Sequence, residues 1–132
     1  MTDNNSPSLV VVLNSNKELE YFRDQQLSKK QIDDLKKVET RLNQGFHLGG
    51  HLLEQPTAQD KATFMANMLV EALINNNEST MALCCSYLAT RYESLKQIRA
   101  TVHDDRCTIQ LINDQAYVEE AVVQIFNKND LS

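Results

Sequence analysis

The stretch TAQDKATFMANMLVEALINNNESTMALCCSYLATRYESL, Thr57–Leu95, decides how the rest of the chain is read. Its first half repeats Met65, Met68, Leu69, Ala72 and Leu73 at helical spacing, and Phe64 and Val70 widen the apolar surface. Thr57 suits the N-cap, with Asp60 in the first turn and Pro56 just outside. Asn75-Asn76-Asn77 then interrupts the helix, because asparagine tolerates left-handed backbone and competes for helix hydrogen bonds. The second half starts near Glu78 or Ser79 and carries the stripe Met81, Cys84, Cys85, Leu88, Tyr92 and Leu95. A helical hairpin cannot bury its apolar face alone, so the other elements must pack on it.

Working towards the N-terminus, the three glycines of the chain fall within Gly45-Phe46-His47-Leu48-Gly49-Gly50-His51. Such a cluster concentrates backbone freedom in one place. It reads as a helix C-cap and turn, or as a small-residue helix face, or as a binding loop. The helix before it begins at the capping-box signature Ser28-Lys29-Lys30-Gln31 and places Ile32, Leu35, Val38, Leu42 and Phe46 on one side. Its other face alternates in charge and is solvated. Ser15-Asn16-Lys17-Glu18 repeats the capping signature, which predicts a short helix through Leu19, Phe22 and Gln26. Ser8–Leu13, SLVVVL, is a β-branched run after Pro7 and reads as a buried strand.

Beyond Tyr92 the apolar period changes from helical to two. Ile98, Ala100 and Val102 alternate with polar residues, His103-Asp104-Asp105 makes a turn, and Cys107, Ile109 and Leu111 alternate again. That is a β-hairpin, although residues 96–102 also read as the end of the preceding helix. Asn113 or Asp114 caps a last helix whose inward face is Val118, Ala121, Val122 and Ile125. The expected fold is therefore α+β and mainly helical. It has about four to five helices around a central helical hairpin, packed on a small antiparallel sheet of about three strands. Residues 1–7 are a polar lead-in, 8–127 a single globular domain and 128–132 a polar tail.

A chain of 132 residues buries enough surface for one core without metal or disulfides. Its net charge of -5 disfavours binding to nucleic-acid phosphates and to anionic membranes. It contains no apolar run of the length that spans a bilayer and no signal-like start, which favours the cytoplasm. The three cysteines, two of them adjacent, are odd in number and lack C-x-x-C spacing, so they read as buried thiols.

No assembled catalytic motif is visible. His47 and His51, four residues apart, would face one way on a helix and share a metal, but Gly49 and Gly50 lie between them and H-E-x-x-H is absent. No cofactor is expected. A phosphate-binding glycine loop is missing too, since the order G-x-x-x-x-G-K-[ST] does not occur. Met65, Met68 and Met81 suit either a core or an adaptable partner groove. By elimination the sequence predicts a small, bacterial-type, cytoplasmic interaction or regulatory module rather than an enzyme, with self-association as a homodimer. The alternative is a small-ligand or metal-binding protein or enzyme centred on Gly45, His47, Gly49, Gly50 and His51. In either case Gly49 is expected to need positive φ or close backbone contact.

Overall fold

A computed structural model describes residues 8–118 of the chain. The elements run β1 (Ser8–Leu13), β2 (Asn16–Phe22), α1 (Lys29–Asn43), β3 (Phe46–Leu48), β4 (His51–Leu53), α2 (Ala58–Ile74), α3 (Glu78–Arg91), β5 (Gln97–His103) and β6 (Arg106–Ile112). The main sheet has the order β2-β1-β5-β6, and β3 and β4 form a separate two-stranded ribbon.

This corrects the expected fold. Among the described residues there are three helices, not four or five, and the main sheet has four strands, not three. The segment after Ser15 is a strand rather than a short helix. Asn14 and Ser15 both adopt left-handed backbone, at φ 49° and 72°, and reverse the chain in a tight turn. Ser15 therefore cannot act as a helix cap, and β2 pairs antiparallel along β1. Leu19 and Tyr21 alternate into the core, whereas Phe22, expected on an inward helix stripe, is 49% exposed. The period-two signal was present, but the capping signature masked it.

The sheet is mixed, not antiparallel, because β1 and β5 run parallel. The helical part of the chain lies between them, and a crossover of that kind returns the chain in its original direction. β5 and β6 form the expected hairpin, which settles residues 97–103 as strand. Residues 115–118 are not helical; the remainder of the last expected helix lies outside the described residues.

The helices cover one face of the sheet. Leu9, Val11 and Ile98 point into a core with Met65, Ala66, Leu69, Cys84, Tyr87 and Leu88. The N-caps predicted at Ser28 and Thr57 form. Ser28 Oγ accepts from Gln31 N at 3.1 Å and Thr57 Oγ1 from Asp60 N at 3.1 Å, each with the reciprocal bond of a capping box. α2 ends at Asn75, and Asn76, at φ 57°, turns the chain into α3. On the other face Val10 and Val12 are also buried. Gln97 Nε2 donates to Gln115 O at 2.7 Å, and Lys17 Nζ lies 5.7 Å from the Tyr117 ring. Residues 113–118 thus pass back over this face towards β2. Among the described residues no helix is long and apolar enough to cross a membrane.

Candidate functional site

The glycine-rich segment is neither a simple cap nor a continued helix. It builds the β3–β4 ribbon. α1 closes with the N–H of Gln44 bonded to Arg41 O and Leu42 O. Gly45 then takes φ 102°, and a Cβ at this position would sit 2.7 Å from Leu53 O. Only glycine lets the chain leave α1 so close to the returning strand. Gly49 and Gly50, at φ 61° and 83°, form the two-residue turn, and a Cβ on either meets nothing within 4 Å. Gly49 has the expected positive φ but not the close contact; Gly45 has both.

Strand pairing separates the two histidines. His47 is opposite Leu52, and Leu48 is opposite His51. Successive residues of a strand face opposite ways, so His47 and His51 lie on opposite faces of the ribbon and do not converge on one ion. The helical i, i+4 geometry that suggested a shared metal does not exist here. Among the described residues no group of three His, Cys, Asp or Glu side chains could hold a metal ion.

What the ribbon does create is an apolar groove. The Phe46 ring packs on Phe64 of α2 with centroids 4.4 Å apart and planes at 38°. On one side of Phe64 and Met68 lies a cavity of about 370 Å³, walled by Val38, Leu42, Phe46, Met65 and Leu83. On the other side lies a second cavity, of about 480 Å³, between His47, Leu48 and Gly49 of the ribbon and Thr63, Asn67 and Glu71 of α2. Arg41 borders the first and Glu71 the second. Neither has an ion-pair partner among the described residues. Leu52, opposite His47 and on the same face of the ribbon, is 56% exposed.

Below the groove the three helices meet at Glu39 of α1. Its carboxylate accepts from Lys61 Nζ of α2 at 2.8 Å and from Tyr87 OH of α3 at 2.5 Å. Burial acts to raise the carboxyl pKa, but the bonds from Lys61 and Tyr87 outweigh it and hold Glu39 below the ordinary 4.5. Burial first, then the bond to Glu39, pushes the Tyr87 phenol far above its usual range. A phenol held neutral in this way is not a general base at neutral pH. Burial likewise pushes Cys84 and Cys85 up to about 12, so neither is a nucleophile. Cys107, contrary to the sequence reading, is exposed.

Sequence reasoning singled out Gly45–His51 as a possible binding loop and read Met65, Met68 and Met81 as core or groove; Met65 is in fact in the core and also walls the first cavity. Sequence reasoning missed Val38, Arg41, Leu83 and Glu71 as groove residues, because they come from three helices whose mutual placement no local pattern encodes. No family model matches this chain, and neither does any curated protein or solved structure.

Proposed function

We propose that the protein is a protein-interaction module whose groove between α1, the β3–β4 ribbon and α2 receives a short amphipathic segment of a partner. The reading rests on one observation: two adjoining cavities share Phe64 and Met68, one bordered by Arg41 and the other by Glu71, neither of them ion-paired among the described residues. A segment that fits carries two apolar anchors about one helical turn or two strand positions apart, an acidic residue towards Arg41 and a basic one towards Glu71. Methionine walls adapt to several apolar shapes, which suits a module that recognises a segment rather than one rigid molecule.

Selection from a displayed library of short random peptides tests this. The expected consensus has two apolar anchors flanked by opposite charges. Met68→Asp should weaken the selected peptides roughly tenfold or more, and Arg41→Glu should be rescued by reversing the peptide's acidic residue. Peptides that bind Met68→Asp as well as wild type would sink the reading. A small molecule that co-purifies with wild type in native mass spectrometry, and is lost in Met68→Asp, would instead favour a ligand-binding protein, for which a cavity of this size is adequate.

A further inference from the structure

The main sheet has two edges, and they differ. β2 (NKELEYF) carries Lys17, Glu18 and Glu20, and its ladder with β1 is broken by a bulge between Val11 and Val12. Edge charge and a bulge are the usual protection against strand addition. β6 (RCTIQLI) has no bulge and one charge, Arg106 at its first position. It pairs with β5 in unbroken register over all seven residues, and after Arg106 its side chains are uncharged.

The orientation of its main chain follows from the rest of the sheet. Asn14 N donates to Ala100 O at 2.8 Å and Val10 N to Lys96 O at 3.0 Å, so the even-numbered residues of β5 direct their carbonyls towards β1. Ala100 is opposite Ile109. Ile109, with Cys107 and Leu111 on the same parity, therefore turns its N–H and C=O away from β5, towards the open edge. Among the described residues the chain beyond β6 does not cover that edge, because Gln115 and Tyr117 lead it across the sheet face to Gln97 and Lys17.

We infer that β6 is a self-association edge, which pairs antiparallel with β6 of a second copy to make one continuous eight-stranded sheet. The register is set by charge and hydrogen-bond parity together. With Gln110 on the two-fold axis, Ile109 and the second copy's Leu111 exchange main-chain hydrogen bonds. Arg106 of each copy then reaches Asp114 of the other. Arg106 and Asp114 are both exposed and have no ion pair among the described residues. Ile109 and Leu111 from the two copies meet on the helix-covered face, where each is only partly buried within its own chain. One strand pair is a modest interface, so micromolar association is expected rather than an obligate dimer. This edge is separate from the groove, and the two proposals stand or fall independently.

Sedimentation velocity of the full chain at about 100 µM tests the inference. Wild type should contain a species of twice 15.1 kDa. Gln110→Lys sets two ammonium groups face to face on the axis; it also stands opposite Arg99 of its own chain, a like-charge pair that weakens the β5–β6 ladder without undoing it, since Gln110 is exposed and its main chain still bonds to β5. It should weaken the dimer about tenfold or more at unchanged circular dichroism. Arg106→Asp should do the same, and Arg106→Asp with Asp114→Arg should restore the dimer. In a Cys107→Ser background, Gln110→Cys should give a disulfide-linked dimer on mild oxidation. A wild-type monomer at this concentration, or a dimer indifferent to Gln110→Lys, overturns the inference. A dimer that Gln110→Lys breaks, but that the Arg106/Asp114 exchange does not restore, overturns the register.

Discussion

At the residue scale, one glycine out of three carries the geometry of the groove. Gly45 combines φ 102° with a carbonyl 2.7 Å from where its Cβ would be, so a methyl group there meets backbone that cannot swing aside. Gly45→Ala should cost about 2–3 kcal/mol in chemical denaturation and shift the ribbon off Phe64. Gly49→Asn should stay within about 0.5 kcal/mol, because φ 61° is open to asparagine and the surroundings are empty. If both substitutions cost the same, the Leu53 contact is not what holds the turn. The clustering of glycines was plain in the sequence. Which of them was structurally required was not, because Leu53 O meets Gly45 only after the chain has turned back on itself.

At the element scale, α3 ends against a side chain from β2's end of the chain. Arg23 Nε donates to Ala89 O at 3.0 Å, and Nη2 donates to Tyr92 O at 2.9 Å and Leu95 O at 2.6 Å. The last carbonyls of a helix lack intrahelical partners and carry its negative end, so a guanidinium is well matched to them. Tyr92 adds a tie of its own, its OH donating to Ala58 O at 2.8 Å. Arg23→Ala should destabilise the protein by about 2 kcal/mol and raise amide exchange over 88–95 more than over α2. Equal loss of protection in α2 and α3 would show that Arg23 supports the whole fold and not this terminus. The sequence marked the starts of α1 and α2 through their caps and put the start of α3 near Glu78 or Ser79, where the cap is Asn77. It did not mark this stop, because the capping group lies more than sixty residues away in the chain.

At the scale of the whole molecule, Glu39, Lys61 and Tyr87 lock α1, α2 and α3 together, and the lock depends on pH. The folded pKa of Glu39 is depressed. Its contribution is therefore fully present above the unfolded value near 4.5 and is lost as pH falls through the folded value. Glu39→Gln should lower stability at pH 7 by about 1–2 kcal/mol, and the gap to wild type should narrow as pH drops below about 4.5. Melting curves from pH 3 to pH 7 measure this. A gap that stays constant over the range would mean that the carboxylate charge is not what the lock uses.

The sequence by itself determined the parts whose cause is local. The capping boxes at Ser28 and Thr57 start α1 and α2, the asparagine turn separates α2 from α3, the continuous β-branched run makes β1 a strand, and the period-two pattern makes β5 and β6 strands. Each depends on side chains within a few positions of the backbone they act on. Tertiary structure decided the rest. β2 became a strand because β1 offered it a ladder stronger than a lone capping signature, and the sheet became mixed because the helices fill the crossover between β1 and β5. The histidines were set apart by a ribbon register. The groove exists only where residues from α1, the ribbon, α2 and α3 meet. Such contacts join positions far apart in the chain, and their energy depends on packing and burial that no local spacing specifies.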